Sequence, residues 1–78
     1  MKLLVRNLSR KTTEQDINNL FSELGTVEEC SLVFDQITGQ SKGFAFVEMS
    51  NDAEANAAIA ELNYKEVDKS KIRVKLAQ

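Results

Sequence analysis

Eight residues near the middle of the chain, Lys42-Gly43-Phe44-Ala45-Phe46-Val47-Glu48-Met49, restrict its fold more than any other segment. Their alternation is that of a β-strand, in which successive side chains point to opposite faces of a sheet. Ala45, Val47 and Met49 then share one face, and Phe44, Phe46 and Glu48 share the other. Only the first set is uniformly apolar, as a core requires, so the two phenylalanines look outward. A slip of one residue would exchange the sets and expose the core face, so this parity is not adjustable. Two aromatic rings roughly 6.8 Å apart on a solvent-facing strand need a use, and stacking against nucleobases is one.

The rest of the chain supplies what such a strand needs to fold. Lys2–Arg6, Val27–Phe34 and Lys71–Leu76 read as three further strands, with the central strand spanning Gly43–Ser50. In the last of them Ile72, Val74 and Leu76 alternate with Lys71, Arg73 and Lys75. Two segments have helical spacing instead: Ile17, Leu20, Phe21 and Leu24, and then Ala55, Ala58, Ile59 and Leu62. Thr13 is a good N-cap for the first helix, with Gly25 as its terminator. For the second, Asn51 followed by Glu54 resembles a capping box, and Asn63 is suited to a left-handed closing residue. Between the second and third strands, Asp35 to Ser41 is turn material.

The order is therefore β-α-β-β-α-β. Right-handed crossovers place both helices on one face of a four-stranded antiparallel sheet of order 4-1-3-2, an α+β, ferredoxin-like sandwich. Leu3, Val5, Ala45, Val47, Met49, Ile72 and Val74 face the helices, and the opposite side of the sheet is left uncovered. Seventy-eight residues suit a single domain, 1–78.

Charge and composition narrow the function. The formal net charge is −2, which by itself argues against a nucleic-acid partner, but its distribution matters more. No Lys or Arg lies between Thr12 and Ser41, or between Gly43 and Tyr64. On the open face Arg6, Lys42, Arg73 and Lys75 stand against Glu48, a local charge of +3 that leaves −5 for the remainder. Basic groups beside aromatics suit a phosphate chain whose bases lie on the sheet. There is no histidine, and Cys30 is the lone cysteine, at a core position that fits a buried, inert thiol. No Cys–His pair, metal-ligand cluster or glycine-rich phosphate loop is present, so neither an enzyme nor a cofactor site is expected. The apolar run at the N-terminus stops after three residues, too short for a secretory signal or a membrane span, so a cytoplasmic location is expected.

Taken together these residues resemble a known family. Lys42 to Met49 is similar to the ribonucleoprotein octamer of the RNA-recognition motif, at seven of eight positions, and Leu3-Leu4-Val5-Arg6-Asn7-Leu8 is similar to its companion hexamer. Asp35, Thr38-Gly39 and Ser41-Lys42-Gly43 match the loop into the octamer strand, and the nearest likeness is to small bacterial proteins built of one such motif. The resemblance implies a non-catalytic, monomeric binder of single-stranded RNA, with single-stranded DNA as an in vitro substitute. It assigns a base stack to Phe46, sugar packing to Phe44 and phosphate contact to Lys42. Leu4 stands where the family often has a third aromatic, which weakens one stack. The family often has glycine in place of Tyr64 and again near Lys69, so the path from Tyr64 to Ser70 is left open; Tyr64 itself reads as a surface or turn residue, with a base contact as the lesser alternative. A protein-interaction module using the sheet or the acidic helical face around Glu14–Glu23 is the alternative from another class.

Overall fold

The computed structural model describes residues 1–77. Strand β1 (Lys2–Arg6) is followed by α1 (Glu14–Ser22), β2 (Glu29–Phe34), β3 (Ser41–Glu48) and α2 (Asp52–Leu62). Two short strands, β4 (Glu66–Val67) and β5 (Ser70–Lys71), precede β6 (Arg73–Leu76). The main sheet runs β2-β3-β1-β6 with every neighbouring pair antiparallel, which is the expected order with β6 as the fourth strand. The β4–β5 pair forms a separate two-stranded sheet.

The expected core face is dry. Leu3, Val5, Ala45, Val47, Met49, Ile72 and Val74 are all at most 2% exposed, and Ile17 and Phe21 from α1 and Ala55, Ala58 and Leu62 from α2 close over them. Thr13 closes the start of α1 with a complete capping box: its hydroxyl accepts from the Asp16 N–H at 3.1 Å, and the Asp16 carboxylate accepts from its own N–H at 3.0 Å.

Several local expectations are corrected. Helix α1 ends at Ser22, before Gly25. Gly25 serves close approach instead, because a Cβ there would lie 2.5 Å from the Glu54 side chain. That same Glu54 carboxylate accepts from the Thr26 N–H at 3.0 Å, so α2 has the Asn51 half of a capping box and not the reciprocal half. Asn63 is extended, with φ −64° and ψ 127°, and its side-chain oxygen accepts from the Val74 N–H; Tyr64 takes the left-handed conformation in its place. Strand β2 begins at Glu29 rather than Val27, and β3 spans Ser41–Glu48 rather than Gly43–Ser50. The expected fourth strand is interrupted at Ile72 and divides into β5 and β6.

The interruption has a definite geometry. The Tyr64 N–H donates to the Ile72 carbonyl at 2.8 Å, and the Ile72 N–H donates to the Lys65 carbonyl at 2.9 Å. Two residues on one strand thus oppose one on the other, and the first of them, Tyr64, has φ +71°. This is the glycine-type β-bulge, with tyrosine where glycine is usual. The β4–β5 turn then places Asp68 and Lys69 at φ +51° and +68°, as a two-residue type I′ hairpin requires. The hairpin therefore forms without the glycines whose absence left it open. The buried Thr12 hydroxyl anchors it by donating to the Asp68 carboxylate at 2.7 Å.

At the outer edge of the sheet, the Leu32 N–H points away from β3 and donates to the Glu14 carboxylate at 2.9 Å. The β2–β3 connection is held by Asp35, whose side chain accepts from the N–H groups of Ile37 and Thr38. Hydrogen bonds from the Thr38 and Ile37 backbones stabilise the ionised carboxylate and lower its pKa.

Among the described residues no hydrogen bond or ion pair of the Lys69 side chain accounts for its left-handed backbone, which costs an L-residue roughly 1–2 kcal/mol. Lys69→Gly is expected to stabilise the protein by about 0.5–1 kcal/mol after the added unfolded-state entropy of glycine is deducted. Thermal denaturation followed by circular dichroism should show the midpoint rising by roughly 2–8 °C; a fall would contradict the strain assigned to this turn.

Candidate nucleic-acid interface

The antiparallel register arranges the open face in three rows across the strands. In the first, Glu29 of β2 pairs with Glu48 of β3, and Glu48 pairs with Lys2 of β1. In the second, Ser31, Phe46, Leu4 and Lys75 follow one another from β2 to β6. In the third, Arg6 of β1 pairs with Arg73 of β6, with Phe44 on β3 two residues from Phe46. The face thus grades from mixed charge, through a stacking row, to a cationic end. Like charges directly opposite each other on neighbouring strands are destabilising, so Arg6 beside Arg73 marks a place that an anion would relieve.

Phe44 and Phe46 are half-buried and lie on the side away from the helices, since Ala45 and Val47 between and beyond them are 0% exposed on the other side. Their rings meet edge to face, with centroids 6.2 Å apart and planes at 87°. Such a contact is worth about 0.5–1.5 kcal/mol beyond area burial and fixes both rings before any ligand arrives. The Lys2 ammonium lies over the Phe46 ring, 5.2 Å from its centroid. Leu4, between Phe46 and Lys75, fills the stacking row with a flat apolar patch in place of a third ring.

The cationic end is a cleft of about 570 Å³ lined by Arg6, Asn7, Arg10, Lys42, Gly43, Phe44 and Arg73. Four cations and no acid line it, with one aromatic ring on its wall. Its shape depends on Gly43. A step of two residues along β2, from Leu32 to Phe34, is matched by a step of four along β3, from Ala45 to Ser41, and Gly43 sits inside this register shift at φ +83°. A Cβ at Gly43 would lie 1.9 Å from the Arg10 guanidinium and 3.2 Å from the Leu8 carbonyl. Arg10 also donates to that carbonyl at 3.4 Å, so the absent side chain is what lets its guanidinium lie across the strand.

All seven residues expected from sequence (Leu4, Arg6, Lys42, Phe44, Phe46, Arg73 and Lys75) therefore stand on or beside the open face. Arg10, Asn7, Lys2 and Tyr64 were not expected there. Lys2 had a signal in the sequence, because it shares the parity of Leu4 and Arg6. Glu29 offsets it, and with Arg10 counted the face carries a net charge of +4. Arg10 had none, because its reach across Gly43 comes from a loop. Asn7 also lies outside the regular alternation: its backbone is left-handed at φ +59° and its amide donates to the Lys71 carbonyl at 2.7 Å. Cys30 is half-buried rather than buried; burial, with Glu14 nearby, still raises its pKa from 9.0 to about 11, which leaves little thiolate at neutral pH.

Tyr64 lies beyond β6, where the Arg73 guanidinium carbon sits over its ring at 4.5 Å from the centroid. An exposed cation–π contact contributes about 0.5–1 kcal/mol. The left-handed backbone that carries the ring costs roughly 1–2 kcal/mol. The contact within the protein does not offset the strain.

A four-stranded sheet backed by two helices, with paired aromatics and cations on its free face, defines a class of domain that holds unpaired nucleotide chains on a flat platform. The comparisons agree with that class. The sequence pattern of the RNA recognition motif matches residues 3–73. RbpF, a candidate RNA-binding protein of the bacterium Nostoc sp., is 49% identical over 63 residues, covering 81% of this chain and 60% of its own length. The crystal structure of RNA-binding protein PG1 superposes with a TM-score of 0.95 at 38% identity, covering 99% of this chain and 93% of PG1. A complex of the Sxl-lethal protein with RNA gives 0.94 at 30% identity, over 99% of this chain and 46% of that one. The chain belongs to the RNA recognition motif family. It spans 60% of the length of RbpF.

Gly43→Ala meets both a left-handed backbone and the Arg10 guanidinium. It should destabilise the protein by at least 1–2 kcal/mol, roughly the cost of the backbone conformation alone. Chemical denaturation would measure this, and an unchanged midpoint would remove the role given to Gly43.

Proposed function

We propose that the protein binds single-stranded RNA, without catalysis, on the open face of its main sheet. In this reading one base stacks on Phe46, the adjoining sugar packs on Phe44, and Leu4 supports a neighbouring base. Arg6, Lys42, Arg73 and Lys75 hold phosphates, and Arg10 completes the cleft at the cationic end. The observation that carries the reading is the adjacency of the fixed Phe44–Phe46 pair to a cleft with four cations and no counter-charge. Family membership and the RNA complex of a structural relative support it.

The negative net charge is compatible with this assignment because of where the acids lie. Glu14, Asp16 and Glu23 belong to α1 or its end, and Asp52, Glu54 and Glu61 to α2, on the far side of the sheet. A polyanion is repelled from the helical layer and attracted to the Arg6–Lys42 end of the platform, so the field orients the encounter. The single domain proposed for these residues has one such platform. The predominance of stacking and phosphate contacts predicts tolerance of base identity.

Titration of short oligouridylates against wild type and Phe46→Ala tests the stacking claim. A lost base–aromatic stack should weaken binding about 5- to 150-fold, and equal affinities would end the claim. Salt provides a second measurement. The logarithm of affinity should fall against the logarithm of salt concentration by about 0.7 for each phosphate held, and Arg10→Ala should reduce that slope by about 0.7. An unaltered slope would take Arg10 out of the phosphate cleft.

A further inference from the structure

Tyr64 combines three features that its place in the fold does not require. Its backbone is left-handed at the bulge position where glycine is usual. Its side chain is 57% exposed, among the few large hydrophobic groups left in water. Its ring packs on Arg73, which belongs to the cationic row of the open face and lines the phosphate cleft. The contact with Arg73 is too weak to explain why an aromatic is kept where it strains the chain.

We infer that Tyr64 and Arg73 form a further base-stacking position beyond β6, which extends the platform past the edge of the sheet. It takes one more nucleobase of the same RNA strand, and so rests on the function proposed above. Arg73 covers one part of the ring and holds its orientation, and the remaining surface is open to a base. Strands lie about 4.8 Å apart, so Arg73 on β6 stands roughly 10 Å from Phe44 across β1. The Tyr64 backbone lies outside that strand again, donating to the Ile72 carbonyl, and its ring sits under the Arg73 guanidinium. A dinucleotide seated on Phe44 and Phe46 does not reach that far, whereas a longer strand crossing the cleft does. Site size, rather than base preference, is what the position adds.

The protein carries its own reporter for this site. Tyr64 is the only tyrosine and there is no tryptophan, so its emission reports on this ring alone. Saturation with hexauridylate, corrected for absorbance, should quench that emission, while the uridine dinucleotide should leave it unchanged. Tyr64→Gly relieves the backbone and should fold at least as well as wild type. Its affinity for the hexanucleotide should nevertheless drop about 5- to 30-fold, with no change for the dinucleotide. Tyr64→Phe should retain the wild-type affinity. Lys69→Gly controls for strain relief in the same hairpin and should bind both oligomers as wild type does. Unquenched emission at saturation, or full hexanucleotide affinity in Tyr64→Gly, would overturn the inference. Phe46→Ala measured in parallel separates the two claims: if it loses affinity while Tyr64→Gly does not, the sheet platform stands and only the extension falls.

Discussion

The molecule depends on the parity of β3. This strand lies between β1 and β2, so its register fixes both neighbours as well as its own side chains. Its small and medium residues, Ala45 and Val47, lie dry beneath the helices, with Met49 just past its end. The helical layer above them includes Ala55 and Ala58, whose methyl groups permit close approach. A one-residue slip would bring two phenyl rings into a space sized for these side chains and put the core set into water. Burial therefore holds the aromatics outward, and the interface needs no separate device to display them.

The electrostatic arrangement follows from the same frame. Because antiparallel pairing sets residues side by side, the charges on the open face are graded along the strands instead of being scattered. Glu29 and Glu48 occupy one end, and Arg6 and Arg73 the other. Asn7, Gly43 and Tyr64, at or beside the cationic end, all have positive φ, while the regular strands carry the stacking row. Asp68 and Lys69, also at positive φ, turn the β4–β5 hairpin, where Asp68 lies against α1 instead of the cleft.

Much of this was legible in the sequence, because periodicity reports burial directly. The strand order, both helices, the dry face and all seven expected surface residues follow from alternation and helical spacing. The positions that were missed or misplaced are governed by contacts that pattern cannot report. Gly25 has the composition signal of a helix end, yet its lack of a side chain serves Glu54 across the molecule. Asn63 is suited to a left-handed bend, yet its amide is needed by Val74, so the bend passes to Tyr64. Arg10 reaches the cleft from a loop, over a glycine whose own requirement is visible only in three dimensions. Cys30 has core parity but sits toward the margin of the sheet, where parity no longer guarantees enclosure.

Helix α1 also governs what the outer border of the sheet can do. With the Leu32 amide hydrogen already engaged by Glu14, a foreign polypeptide laid along β2 meets a carboxylate where it would need a free donor. Lengthening of the sheet by recruitment of another chain is thereby obstructed at the middle of its exposed margin. The β2 border is in this way guarded at that position against edge-to-edge pairing, by a helix whose main work is to cover the core.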